Sequence, residues 1–157
     1  MENMKEKVIE KLNEREVRIE DIAVLVYDLQ KNYIPDVTMS ECTRTVEEVL
    51  GKREVQTALL TGISLDVLAE KNLIEEPLLG IIKNDESLYG IDEILALSIT
   101  NIYGSIGLTN FGYLDKVKPG ILGKLNEDKH IKCNTFLDDL VAGIAAAACA
   151  KLAHSKT

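Results

Sequence analysis

Two adjacent carboxylates, Asp138 and Asp139, open a segment, NTFLDDLVAGIAAAACAKLAH, whose later part is small and apolar on every side. A helix that is apolar all round belongs inside a protein, where an unpaired carboxylate is heavily penalised. A second acidic pair, Asp92 and Glu93, heads the other strongly apolar stretch, IDEILALSITNIYG. Neighbouring side chains on a helix diverge by about 100°, so at least one of Asp138 and Asp139 must face packed surroundings. Two explanations stand side by side. If Asn134 caps its helix, Asp138 and Asp139 lie in the early turns, where the positive end of the helix dipole favours acids. Alternatively, carboxylates from facing helices converge on Mg²⁺ or Mn²⁺, since hard cations take oxygen ligands and neutralise charge that could not otherwise be buried.

Between the acidic pairs lies YLDKVKPGILGK. Asp115 could add another oxygen ligand, and Pro119 is expected to hold Lys118 extended. Lys116, Lys118, Lys124, Lys129 and Lys132 make this part of an acidic chain locally basic. Such lysines usually form a solvated face; the functional alternative is that Lys118 contacts a phosphate whose oxygens a metal also bridges. His130 and His154 lack the partners of a metal motif, and Ser105 and Cys149 lack a base at motif spacing. YGSIGLTNFG lacks the GxxxxGK[ST] pattern of a phosphate loop and follows a helix rather than a strand, so Gly104, Gly107 and Gly112 read as a helix break and close packing.

The elements that must position these residues are helical. Residues 4 to 14 are amphipathic; RIEDIAVLVYDLQKNY, ECTRTVEEVL and REVQTALLTGISLDVLAEKN keep apolar residues at helical spacing, and Thr38 or Ser40 can cap the second of these. Pro77 fits the first turn of a short helix ending near Asn84 and Asp85. A long buried helix follows from Glu86, breaking near Gly104 or Gly107, and ILGKLNED is a short helix at best. No segment alternates in the manner of a strand. The expectation is an all-α single domain over residues 1 to 157, with about six or seven helices around one or two buried central ones.

With 157 residues and a formal charge of −8, the chain can bury one core, and it lacks the broad basic face of a nucleic-acid binder. Cys42, Cys133 and Cys149 fit neither a disulfide framework nor a zinc site and read as reduced thiols in the cytoplasm. The charged N-terminus is not a secretory signal, and the run from Leu140 to Ala150 is shorter than the roughly 20 residues of a membrane-spanning helix. A homo-oligomer is compatible with the sequence on general grounds alone.

At these residues the sequence resembles the phosphatidylglycerophosphatase A family, and closely its soluble, low-temperature-requirement-protein branch. The match is an ordered set: Asp92-Glu93 opening a helix, Phe111-Gly112-Tyr113-Leu114-Asp115 leading to Lys118-Pro119, then Leu137-Asp138-Asp139 followed by Ala142-Gly143. The resemblance implies a Mg²⁺-dependent lipid phosphatase in which Asp92, Glu93, Asp138 and Asp139 are metal-site or catalytic acids, Asp115 an auxiliary acid and Lys118 a phosphate contact. The membrane-embedded enzymes usually carry Arg where this chain has Gly112, and a second Pro where it has Gly120.

The reading is therefore a Mg²⁺-dependent phosphomonoester hydrolase, with Mn²⁺ as the alternative cation and water as nucleophile. Its substrate is a phospholipid headgroup, reached from the membrane surface, or a soluble phosphoester. The rival reading is a non-catalytic, metal-binding helical protein with a regulatory or partner-binding role, supported by the loss of the Arg counterpart at Gly112.

Overall fold

The structure is a computed structural model that describes residues 3–127 and 132–156; Lys129 and His130 lie outside the described residues. All regular structure among the described residues is helical. The elements are α1 (Met4–Glu14), α2 (Ile19–Gln30), α3 (Met39–Leu50), α4 (Arg53–Glu70), α5 (Leu78–Lys83), α6 (Ile91–Thr100), α7 (Ser105–Val117), α8 (Ile121–Glu127) and α9 (Leu137–Ser155), with a 3₁₀ turn at Asn101–Tyr103. The nine α-helices among the described residues exceed the six or seven expected. The helix expected from Glu86 starts only at Ile91 and breaks at Gly104, one of the two expected positions, where φ 89° turns the chain between α6 and α7; it is not buried throughout, since Ile91, Ile94 and Leu108 are exposed. The short segments α5 and α8 are helices in their own right.

Helix α9 is the axis of the molecule, and residues 133–150 are all buried. It packs on α2, α3, α4, α6, α7 and α8, which leaves no solvent face along most of its length. The run Ala145 to Ala148 makes this possible, since small side chains let several helices approach one axis closely. Two glycines set the closest approaches. A Cβ at Gly143 would lie 3.1 Å from the carbonyl oxygen of Ala96 on α6, and one at Gly62 on α4 would meet Leu140 Cδ1 and come within 3.1 Å of Phe136 Cβ. Gly62 therefore lets α4 lie close against the start of α9.

The outer helices follow the expected amphipathic logic. Val8 and Leu12 of α1, and Cys42, Val46, Val49 and Leu50 of α3, face the core. Thr38 caps α3 by accepting the Glu41 N–H at 3.1 Å. Cys42, Cys133 and Cys149 are buried free thiols. Among the described residues, no helix is long and apolar enough to cross a membrane.

Candidate active site

Three helices and one turn bring the sequence-selected residues together. Asp138 and Asp139 occupy the first turn of α9, Asp92 and Glu93 the first turn of α6, and Asp115 and Lys118 the C-terminal end of α7. Helices α6 and α7 both lie along α9, so their ends meet where α9 begins. Asp92, Asp138 and Asp139 are buried, Asp115 and Lys118 are half-buried, and Glu93 stands at the exposed rim.

Asp139 is the centre of the group. Its carboxyl is pushed up to about 11 by burial first, then by the charge of Asp138 and by hydrogen bonds shared with Asp115 and Asp92. A carboxyl in that setting keeps its proton at neutral pH and donates it to a neighbouring acid. Burial also raises Asp138, to about 6, against the opposing pull of Lys118. Glu93 is shifted upward by burial and by the charges of Asp115 and Asp92. The Lys118 ammonium lies 3.1 Å from Asp138 Oδ2 and 3.4 Å from Asp115 Oδ1. Burial disfavours its charge, yet Asp138, Asp115 and Asp139 outweigh that and hold its pKa above the ordinary value.

Lys118 is not extended, as Pro119 suggested. It adopts the left-handed conformation, φ 50° and ψ 57°, at the C-terminus of α7, and its N–H closes on the Leu114 carbonyl. The following proline bars the right-handed helical region to Lys118, and a left-handed residue is the ordinary way to end a helix there. The result turns the side chain back toward Asp115 and across to Asp138. A non-glycine residue held in this region costs on the order of 1 kcal/mol or more.

The N-terminus of α9 is secured otherwise than the sequence suggests. Asn134 does not cap the helix: its side chain accepts from Arg15 Nη2 at 3.1 Å and donates to the Leu125 carbonyl at 3.1 Å. The cap comes from α4. Asp66, fully buried, accepts the N–H of Phe136 at 3.0 Å and that of Leu137 at 2.9 Å, one on each carboxyl oxygen. Sequence reading missed Asp66, which looks like an ordinary polar position in α4. It also missed Asp85, a residue at φ 49° just past α5 whose charge raises both Asp138 and Glu93. Two signals existed: an acid inside a segment with apolar residues on most sides, and an acid seven positions before Asp92.

The donor set suits a hard divalent cation by its chemistry, because every candidate ligand is a carboxylate oxygen and the buried acids exceed the single ammonium beside them. Among the described residues no three acid, histidine or cysteine side chains already form a ligand set. Asp139 is hydrogen-bonded to its acidic neighbours instead. A cation would replace the shared proton as what holds these groups together.

The fold and site define an all-α protein with a buried acid-and-lysine centre at the head of its axial helix. The chain matches phosphatidylglycerophosphatase A over residues 20–154 and belongs to that family. It is 58% identical over 151 residues to the uncharacterized protein YutG of Bacillus subtilis, a match covering 96% of this chain and 91% of the relative. It is also similar to the crystal structure of the low temperature requirement C protein from Listeria monocytogenes, with 59% identity, a TM-score of 0.96, and coverage of 99% of this chain and 98% of the other. A Bacillus stearothermophilus protein of unknown function gives a TM-score of 0.96 at 58% identity, covering 100% of this chain and 98% of the other.

Proposed function

We propose that this protein is a Mg²⁺-dependent phosphomonoester hydrolase of the phosphatidylglycerophosphatase A type, acting on a phospholipid headgroup at the membrane surface or on a soluble phosphoester. The observation that carries the reading is the meeting of Asp92, Asp115 and Asp139 beside an Asp138 that is paired with Lys118. Asp92, Asp138 and Asp139, with Glu93 at the rim, would hold Mg²⁺ or Mn²⁺. A bound divalent cation supplies phosphate polarisation and a water of lowered pKa.

The chain's own residues do the rest. Lys118 offers the positive charge for the phosphate oxygens, and Asp115 orients that ammonium from one turn earlier on α7. Glu93, exposed at the rim, is the acid from which solvent can carry a proton away. Burial of Asp138 and Asp139 keeps water from screening these charges. Turnover of phosphatidylglycerophosphate and of a panel of soluble phosphomonoesters, measured with Mg²⁺ and with EDTA, tests the proposal; no Mg²⁺-dependent release of phosphate from any of them would overturn it.

The second reading, a metal-binding protein without catalysis, draws on Gly112. That position is exposed, and nothing lies within 4 Å of where its Cβ would be, so the charge carried there by the membrane-embedded enzymes has no substitute at the same place. Mg²⁺-induced stabilisation without turnover of any phosphoester would favour it.

A further inference from the structure

The axial helix begins in a polar clamp drawn from four other elements. Asp66 of α4 takes the N–H groups of Phe136 and Leu137, and Cys133 Sγ donates to the same carboxyl at 3.6 Å. One turn along α4, Glu70 accepts the Cys133 N–H at 2.7 Å and forms a two-point ion pair with Arg15, the residue that ends α1. Arg15 also donates to the Cys133 carbonyl at 2.7 Å and to the Asn134 side chain. Asn134 donates to Leu125 of α8, and Thr135 Oγ1 donates to the Ile82 carbonyl of α5 at 2.6 Å. Every residue from Cys133 to Leu137 is thus tied by a side-chain hydrogen bond to another element.

A buried carboxylate is a costly way to cap a helix. Side-chain caps normally come from the residue just before the helix, and Phe136, which stands there, provides none. A cap reaching in from another helix fixes something that a local cap leaves free, namely the rotation and height of the first turn relative to α4. That turn carries Asp138 and Asp139. The Ile82 contact does the same for the end of α5, three residues before Asp85.

We propose that Asp66, backed by Arg15 and Glu70, is a positioning residue that sets where the Asp138 and Asp139 carboxylates stand; its effect on metal binding rests on the function proposed above. Asp66 touches no candidate ligand and acts through the backbone of Phe136 and Leu137.

The test compares wild type, Asp66→Asn and Val8→Ala, the last being a core change on α1 two turns from Arg15. Two quantities are read: amide hydrogen exchange along α9, and the midpoint of Mg²⁺-induced thermal stabilisation. In Asp66→Asn one backbone N–H meets an amide donor instead of an acceptor. Amides from Phe136 to Leu140 should then exchange at least tenfold faster while Ala146 to Cys149 keep their rates, and the Mg²⁺ midpoint should rise at least threefold. Val8→Ala should lower the melting temperature and move neither quantity. If Asp66→Asn fails to fold, Glu70→Gln, which keeps an acceptor for Cys133 but loses the charge on Arg15, should show the same pattern at smaller size. Uniform acceleration along α9, or an unmoved Mg²⁺ midpoint in a variant that is merely less stable, overturns the proposal. A wild type indifferent to Mg²⁺ would sink the metal reading instead, and the exchange pattern then decides the clamp by itself.

Discussion

The Lys118 ammonium stands 3.1 Å from Asp138 Oδ2, so a side chain of the protein already occupies the place of a counter-ion in the acidic centre. A divalent cation binding Asp138 must compete with that ammonium. Under the proposed function, that competition would release Lys118 toward a bound phosphate. Lys118→Met keeps most of the stem and removes the charge. The metal-free variant should melt lower, since the buried Asp138 loses its partly buried partner at a cost of about 1 to 3 kcal/mol. Its Mg²⁺ midpoint should fall severalfold, and turnover of any phosphoester substrate should drop on the order of a hundredfold. Calorimetric melts across a Mg²⁺ titration read the first two; a higher midpoint in Lys118→Met would show that lysine assists metal binding rather than opposing it.

Backbone geometry at the same residue separates strain from charge. Lys118 holds φ 50°, a region in which glycine alone avoids a steric penalty. Lys118→Gly and Lys118→Ala remove the same ammonium, yet the glycine variant should be the more stable by about 1 kcal/mol in denaturant melts, the alanine remaining strained. Both should lose turnover equally. Equal stability of the pair would mean that the left-handed turn costs this chain nothing.

Protons on the buried acids give the metal-free protein an unusual pH dependence. Asp139, Asp66 and Asp138 have folded pKa values near 11, 7 and 6 against an ordinary 3.8, in each case chiefly through burial. A raised folded pKa means that the folded state binds more protons, so the associated stability is complete below the ordinary value and is lost as pH rises through the folded one. Glu70 is shifted the other way, its partners Arg15 and Cys133 outweighing burial, but it acts only below the ordinary glutamate range. Stability should therefore decline as pH rises above about 4, the Asp138 part being lost by about pH 6, the Asp66 part by about pH 7 and the Asp139 part continuing toward pH 11, each such proton contributing up to about 1.4 kcal/mol per pH unit. Asp139→Asn imitates the protonated acid facing Asp92, Asp115 and Asp138. It should flatten that decline, match or exceed wild type at pH 7 without metal, and respond less to Mg²⁺. Parallel pH profiles for the two proteins would contradict the assignment of the proton to Asp139.

Periodicity was enough to read α1 to α4 and α9 as helices, because apolar residues recur on one face or, in α9, on all of them. The two acidic pairs were visible for the same reason: a carboxylate in an apolar helix has few explanations. Asp66 stood out only as an acid in a largely apolar segment, and its capping role was not legible. It caps a helix seventy positions away in sequence, and nothing local to LTGISLDVLAE marks it as a capping residue; conversely Asn134 has the right type and place for a cap but is drawn off by Arg15 and Leu125. Lys118 was misread for a related reason. The rule for a residue before proline excludes the right-handed helix but does not choose between the extended and left-handed forms, and the end of α7 makes that choice.

Gly62 shows how closely α4 must approach the axis. Gly62→Ala places a methyl against Leu140 and Phe136, both fully buried and so with little room to retreat. Although alanine is the better helix former, the variant should be destabilised by about 1 to 3 kcal/mol. A stabilised Gly62→Ala, read by urea unfolding, would show that Leu140 can swing aside.

Gly112 offers the opposite case, a glycine that nothing in the packing requires. It lies inside α7, exposed, with open space around the position of a Cβ, one turn before Asp115 on the same side of the helix. Glycine within a helix costs roughly 0.5 to 1 kcal/mol relative to alanine, so both Gly112→Ala and Gly112→Arg should stabilise the fold by about that amount. The two differ only in charge. If α7 presents positive charge to a phosphate, Gly112→Arg should lower KM for a phosphoester substrate or raise its kcat, whereas Gly112→Ala should behave as wild type. In a protein that binds metal without hydrolysis, neither variant gains turnover. Comparing the pair cancels the helix-propensity effect, which leaves the guanidinium as the single variable. Equal kinetics for Gly112→Ala and Gly112→Arg, on a substrate that wild type turns over, would show that this turn of α7 does not face the phosphate and that Lys118 supplies the positive charge unaided.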